Sequence, residues 1–365
     1  MENNKIKIGI THGDINGVGY EVILKTFADA NMLDLCTPIV YGSPKVAAYH
    51  RKSLDIPTNF SIVNSASEAS HNRLNVVNCI NEEVKVEFSK ADPEAGKAAF
   101  DALEKAVEEY RAGLIDAIVT APINKHTIQS EGFTFPGHTE YLEDKLGDGS
   151  KSLMILLKND FRVALVTGHI PVSQIASTIT KELIQEKLAI FNRSLKQDFG
   201  IGAPRIAVLA LNPHAGDEGL LGDEEEKIII PALKEMAEKG ILCYGPYPAD
   251  GFMGSGNFTR FDGVLAMYHD QGLAPFKALA MDEGVNFTAG LPVIRTSPAH
   301  GTAYDIAGKG VANEDSFRQA VYVAIDVFRN RQSEKVAHTN PLRKQYYEKR
   351  DDSDKLKLDT QEEDL

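Results

Sequence analysis

The sequence predicts an α/β protein built on a mostly parallel sheet whose strands are buried on both faces. Short apolar runs rich in Val, Ile and Leu alternate with longer stretches of helical period, the pattern of βα units. Most of those runs are apolar at successive positions instead of every second one, as in strands covered by helices on both sides. No internal repeat in the range of roughly 20–50 residues competes with this reading.

Taken in order, the predicted strands are IKIGI, TPIVYG, NVVNCI, DAIVTA, LMILLK, RVALVT, RIAVLAL, GVLAMY and VNFTAGLPVIR. Helices are predicted over 94–112, 181–198, 223–239 and 313–330, where apolar residues recur three or four apart and acids gather near the start, favourable to the helix dipole. The final stretch from Tyr346, YYEKRDDSDKLKLDTQEEDL, has too few apolar residues to offset the entropy of ordering it, so 346–365 reads as a charged tail.

The 365 residues are too many for one ordinary core and too few for three, so one large or two linked units are expected. No Pro/Ser/Gly linker divides the chain, and two units would share it through crossing strands. Acids outnumber bases by 52 − 39 = 13, giving a net charge of −13 that argues against nucleic acid or an anionic membrane as partner. No apolar stretch reaches the roughly 20 residues of a membrane span. Cys36, Cys79 and Cys243 are scattered with no CxxC pair, which fits a reducing cytoplasm, as does an N-terminus without a signal-peptide core. The Asn-x-Ser/Thr matches at Asn59, Asn192, Asn257 and Asn286 then carry no weight.

Chemistry collects after the strands, in THGD, TAPINK, TGHIP, NPHAG and YHDQG. Ligands of open α/β sheets bind beyond the carboxyl ends of strands, so these segments are expected to converge on one crevice. Three carry histidines, His169, His214 and His269, and three neutral imidazoles suit a divalent metal with an open position for substrate. His138 and Thr139, in PGHTEYLED, stand at a loop-to-helix start where unsatisfied N–H groups attract an anion. Lys277, Asn286 and Arg295 are placed to orient a phosphate and a carboxylate, Arg by its fork and Lys as a point charge. HGTAYDIAGKG is a Gly-punctuated loop shaped for close approach to a flat or phosphorylated ligand. GxGxxG, GxxxxGK[ST] and GxSxG are all missing, which disfavours a standard Rossmann finger, a P-loop and an α/β-hydrolase triad.

Together the blocks GITHGDINGVGYE, VTAPINK, FPGHTEYLE, TGHIPVSQIASTIT, ALNPHAGDEGLLGDEE, GPYPADG, LAMYHDQGLAPFK and GVNFTAGLPVIRTSPAHGTAYDIAGKG resemble, in order and up to about residue 332, the 4-hydroxythreonine-4-phosphate dehydrogenases of pyridoxal phosphate biosynthesis. The resemblance implies two αβα lobes around a central cleft, as in isopropylmalate and isocitrate dehydrogenases. Lobe 1 would comprise 1–130 plus 285–345, on the dinucleotide side, and lobe 2 would comprise 131–284, on the metal and dimer side. It implies NAD-dependent oxidation of the substrate's C3 hydroxyl and loss of CO₂ to give 3-amino-2-oxopropyl phosphate, with NADP as the alternative nucleotide. It further implies a divalent metal (Zn, Co, Mg or Mn) on His169, His214 and His269, one of them from the partner of a homodimer, and substrate contacts at His138, Thr139, Lys277, Asn286 and Arg295. His300, Gly301, Thr302, Ala303 and Asp305 look like the adenosine-binding loop of the related dehydrogenases. Asp250 and Asp270 are candidate proton carriers or partners of metal-bound imidazoles.

The first loop departs from the family's TPGDPAGIGPE by carrying His12, Ile15 and Tyr20 in place of prolines. Two other readings stand beside the first: the same chemistry on 4-phospho-D-threonate or 4-phospho-D-erythronate, and a non-catalytic protein that binds phosphorylated metabolites.

Overall fold

The structure is a computed structural model that describes residues 5–80, 83–130 and 132–339; the predicted tail lies outside the described residues. The strands are β1 (Lys7–Thr11), β2 (Thr37–Gly42), β3 (Phe60–Val63), β4 (Leu74–Asn78), β5 (Ala117–Thr120), β6 (Leu153–Lys158), β7 (Phe161–Leu165), β8 (Arg205–Leu209), β9 (Leu242–Tyr247), β10 (Gly263–Ala266), β11 (Val285–Ala289) and β12 (Arg295–Pro298). The helices are α1 (Gly19–Thr26), α2 (Asn31–Leu35), α3 (Pro44–Ser53), α4 (Pro93–Arg111), α5 (His138–Leu146), α6 (Ile175–Thr178), α7 (Lys181–Gln197), α8 (Ile230–Glu238), α9 (Ala249–Gly254), α10 (His269–Ala280) and α11 (Asp315–Thr339).

All of these strands join one sheet in the order β3-β4-β2-β1-β5-β12-β11-β6-β7-β10-β8-β9. The run from β3 to β12 is parallel, and so is the run from β7 to β9. Between them, β12–β11, β11–β6 and β6–β7 are antiparallel. Three successive reversals leave the two parallel sets running in opposite directions. The strands β1 and β5 and the strands β7, β8 and β10 thus belong to oppositely running sets, yet the segments that follow β5, β7 and β10 still meet in one cleft, as expected of them.

The cores show where the site opens. On one face, Ile10, Val119, Ile155, Phe287 and Leu265 join α1, α7, α8 and α11 in one cluster that runs the width of the sheet. On the other face, Ile39, Tyr41 and Ile118 pack under α4 and α5, while Leu156, Val163, Ala207 and Val264 pack under α9 and α10, in two separate clusters. The period-2 alternation of each strand feeds both faces, Val119 to one and Ile118 to the other. Each fully buried Leu, Ile or Phe contributes roughly 1.5–3 kcal/mol of transfer free energy, and neither front cluster covers the central strands β12, β11 and β6 completely.

Local chemistry explains the helix starts. Asp92 accepts from the Glu94 N–H and Thr180 from the Leu183 N–H, and Pro93 occupies the first turn of α4. The predicted helix at 223–239 begins as a π-type turn, Glu225–Ile229, before α8, and the one at 313–330 continues to Thr339. VNFTAGLPVIR is not one strand: Gly290, at φ +88°, turns the chain so that β11 and β12 pair as a hairpin.

Candidate active site

The uncovered centre of the front face is a cleft formed by two adjoining cavities of about 240 and 390 Å³. They share Ile123, Lys125, His138, Met154, His169, Asn286 and Arg295. The strand alternation that buries Phe287 against α11 turns Asn286 and Thr288 to the front, and Met154 and Leu156 stand opposite them on β6. Larger grooves beside α4, about 1070 Å³, and between α7 and α11, about 580 Å³, have none of the predicted site residues in their walls.

Arg295 lies at the base of the cleft and is only 4% exposed. Its Nε and Nη2 donate to Thr120 Oγ1 at 3.2 and 2.8 Å, Nη1 donates to Thr288 Oγ1 at 3.2 Å, and Nη2 also donates to His138 Nδ1 at 3.3 Å. All of these partners are neutral. Burial lowers the guanidinium's pKa to about 10, with Glu140 opposing, and it stays cationic at neutral pH. Among the described residues no carboxylate forms an ion pair with it. A buried cation held only by hydroxyls and an imidazole is completed by an anion.

His138 is the first residue of α5, whose N-cap, Gly137, supplies no side-chain acceptor. Burial, then the charges of Arg295 and Lys125, hold the His138 pKa well below its ordinary value. A guanidinium can only donate, so Nδ1 accepts and the proton of the neutral ring resides on Nε2. Asn286 Oδ1 is buried with no hydrogen-bond partner, a second orphan that a ligand donor or water satisfies. Lys125 and Lys277 line the cleft as exposed cations, and Thr139 lines its outer part.

His169 and His269 stand side by side in the wall, with ring centroids 5.4 Å apart. Burial lowers the His169 pKa, and Lys125 and His269 add to the effect. Asp270 is largely exposed and accepts from His269 Nδ1–H at 2.7 Å, which leaves the Nε2 lone pair available as a ligand. His214 is apart: it is exposed, on the loop after β8, and does not line the cleft of its own chain. Its backbone is left-handed at φ +53°, and so are Ala215, Gly216, Asp217, Glu218 and Gly219. A left-handed turn of mostly non-glycine residues costs roughly 1–2 kcal/mol per residue, and such strain persists only where the surroundings impose it. The buried Glu225 anchors the segment leading into this turn, accepting from the N–H groups of Leu211 and Asn212 at 2.8 and 2.7 Å and from Asn212 Nδ2 at 3.0 Å. Among the described residues, no three His, Cys, Asp or Glu side chains of one chain are grouped to hold a metal. Two imidazoles of the predicted triplet stand side by side, and the third lies elsewhere.

His300 and Gly301 line the cleft; Thr302, Ala303 and Asp305 continue the loop away from it. Asp250, on α9, is exposed and outside the lining. Lys125 belongs with the site residues although the motif reading passed over it. Its signal was present as the final residue of TAPINK, a cation three residues beyond a proline after a buried strand.

The pattern of the pyridoxal phosphate biosynthetic protein PdxA family matches residues 34–324. The chain belongs to the PdxA family. A relative from Bacteroides thetaiotaomicron named 4-hydroxythreonine-4-phosphate dehydrogenase is 82% identical over 364 residues, covering 100% of both chains. A D-threonate 4-phosphate dehydrogenase of Cupriavidus necator is 42% identical over 318 residues, 86% of this chain and 95% of that one. The crystal structure of a Klebsiella pneumoniae 4-hydroxythreonine-4-phosphate dehydrogenase superposes with a TM-score of 0.78 at 34% identity, over 90% of this chain and 99% of that one. Membership in PdxA, whose named relatives are dehydrogenases, makes the chain an oxidoreductase, and no described helix is long and apolar enough to cross a membrane.

Proposed function

We propose that the chain oxidises 4-phosphooxy-L-threonine at C3 with NAD and assists the following decarboxylation to 3-amino-2-oxopropyl phosphate. The observation that carries the reading is Arg295, a buried guanidinium with no ion-paired carboxylate among the described residues, in a cleft edged by Lys125 and Lys277, built for a substrate with more than one negative charge. The relative at 82% identity supports the amino-acid substrate.

In the proposed mechanism Arg295 grips one anionic end of the substrate, and His138 Nε2–H and Asn286 orient it. Lys277 and Lys125 neutralise the other end, remote from the reacting carbon, so that binding energy goes to orientation. Hydride leaves C3 as the hydroxyl proton is lost; the C–C bond to the carboxylate then breaks, its electron pair forming an enolate that is reprotonated. When bound at His169 and His269, a divalent metal (Zn, Co, Mg or Mn) supplies Lewis acidity, and NAD, or NADP as the alternative, supplies the hydride acceptor. Asp270 orients His269. His214, and Asp250 as proton carrier, are proposed to act across a homodimer interface, where the partner's cleft receives them.

We take 1–130 with 285–345 as the nucleotide lobe and 131–284 as the metal lobe; the two front cores follow this division except at Phe133, Tyr141 and Leu142, which pack with the nucleotide-side core. Three free cysteines support a reducing cytoplasm. A second reading, the same chemistry on 4-phospho-D-threonate, is favoured by the relative from Cupriavidus necator.

The test is a substrate panel read by NADH absorbance, with metal withdrawn by chelation and restored. Turnover of the phosphorylated amino acid above the sugar acids, lost on chelation and regained with metal, supports the reading. Equal or faster turnover of 4-phospho-D-threonate replaces the first substrate with the second, and no turnover of any member leaves a binding protein.

A further inference from the structure

The Tyr304 hydroxyl lies where three loops meet. It donates to Asp14 Oδ2 at 2.6 Å and accepts from Asn124 Nδ2 at 3.1 Å. Asp14 belongs to the loop after β1 and is 1% exposed; Asn124 belongs to the loop after β5, next to Lys125. Asp14 is itself fixed, its N–H donating to Pro122 O at 2.9 Å and its Oδ1 accepting from Asn16 N at 2.8 Å. A second tie joins the same loops: Val18 N donates to Thr302 O at 3.1 Å, and Gly17 comes so near that a Cβ there would sit 2.7 Å from Thr302 O. Between these two anchors Ala303 is held left-handed at φ +47°. A non-glycine residue in that region costs on the order of 1–3 kcal/mol and persists where its neighbours over-determine it.

We propose that Tyr304 is a positioning residue, a latch that uses Asp14 and Asn124 to hold the His300–Asp305 loop at the mouth of the substrate cleft in its nucleotide-binding shape. The inference rests on the reading that this loop takes a nicotinamide nucleotide. The geometry directs its effect to one ligand. Tyr304 lines neither cavity of the cleft, whereas His300 and Gly301, on the loop that it anchors, do. A loosened loop pays its ordering entropy when the nucleotide binds, which weakens that step and spares the substrate's own contacts.

Tyr304→Phe keeps the ring and removes the hydroxyl. KM for NAD is expected to rise about tenfold, with KM for the phosphorylated substrate changed less than about twofold. Asn124→Asp, which keeps its turn but loses the donor to Tyr304, is expected to shift KM for NAD in the same direction and serves should Tyr304→Phe fold poorly. Adding Asp14→Asn to Tyr304→Phe is expected to cost less than the sum of the single changes. Hydrogen exchange of residues 300–308 without nucleotide is expected to quicken in both single variants. A wild-type enzyme that reduces NAD, beside variants whose two KM values move together or not at all, overturns the latch. A wild-type enzyme that uses neither NAD nor NADP overturns the nucleotide reading instead, and unchanged exchange of 300–308 then overturns the latch by itself.

Discussion

Arg295 donates to the Nδ1 of His138 at 3.3 Å, and that contact decides which proton the imidazole shows to the cleft. With the guanidinium donating to Nδ1, the neutral ring carries its proton on Nε2. The pair thus offers donors from a cationic guanidinium and from the Nε2–H of a neutral imidazole.

Replacing Arg295 by Lys keeps the charge and loses the fork. Thr120, Thr288 and His138 cannot all be reached by one ammonium, so kcat/KM is expected to fall about 10–100-fold, from lost charge-assisted hydrogen bonds worth roughly 1.5–3 kcal/mol. Steady-state kinetics and calorimetric titration with the phosphorylated substrate check this, with most of the loss expected in substrate affinity.

Stability is expected to fall steeply in mild acid because of two histidines remote from the chemistry. His12 and His50 are completely buried around Tyr20, and burial lowers each pKa to about 4. Above the unfolded value near 6.5 both states are neutral and nothing is lost. As pH drops from about 6.5 to about 4 the unfolded chain binds these protons and the folded chain does not, which removes on the order of 3 kcal/mol per histidine. His50→Gln, which retains a donor for Ile15 O, is expected to flatten the dependence of the urea midpoint on pH across that window.

The left-handed turn at 214–219 invites relief. Ala215→Gly and Glu218→Gly replace residues at φ +55° and +54° and are each expected to raise stability by about 1 kcal/mol in denaturant unfolding. Gly216→Ala is expected to do the reverse, since its Cβ would lie 2.8 Å from both Glu225 Oε2 and Gly222 O.

Glu225 is expected to matter as the anchor of the segment leading into that turn. Glu225→Ala orphans the Leu211 and Asn212 N–H groups and should cost about 2–4 kcal/mol, while Glu225→Gln keeps an acceptor for them and should cost less. Thermal melts of the two variants beside the parent give the comparison.

Much of this was legible in the chain. β1, β2, β4 to β8 and β10 fall on the predicted apolar runs, because a strand buried on both faces must be apolar at successive positions. The strands that escaped notice, β3 and β9, are the edges: Ile62 and Leu242 are exposed, and Gly245-Pro246 interrupts β9. In the site, His138 was legible from its helix start, Lys277, Asn286 and Arg295 from polar residues near strand ends, and His169 and His269 from histidines placed after strands. What pattern alone did not reveal was direction. The turn at Gly290 looks like an interruption within one apolar run, yet it reverses a strand and with it the sense of half the sheet. The left-handed backbone at His214 was equally hidden, because Ala, Asp and Glu do not advertise a positive φ.

The β11–β12 hairpin then acts as a ruler. Its register sets Thr288 against Arg295 and Asn286 against Ser297, and a strand alternates faces at every residue. Inserting or deleting one residue in the segment from Gly290 to Ile294 would turn Arg295 out of the cleft and into the apolar layer behind it, or pull β12 off β5. Length changes in that short turn should be intolerable where the same changes beside β3 or β9 pass unnoticed, so a deep scan of single-residue insertions would trace the active site without any substrate being present.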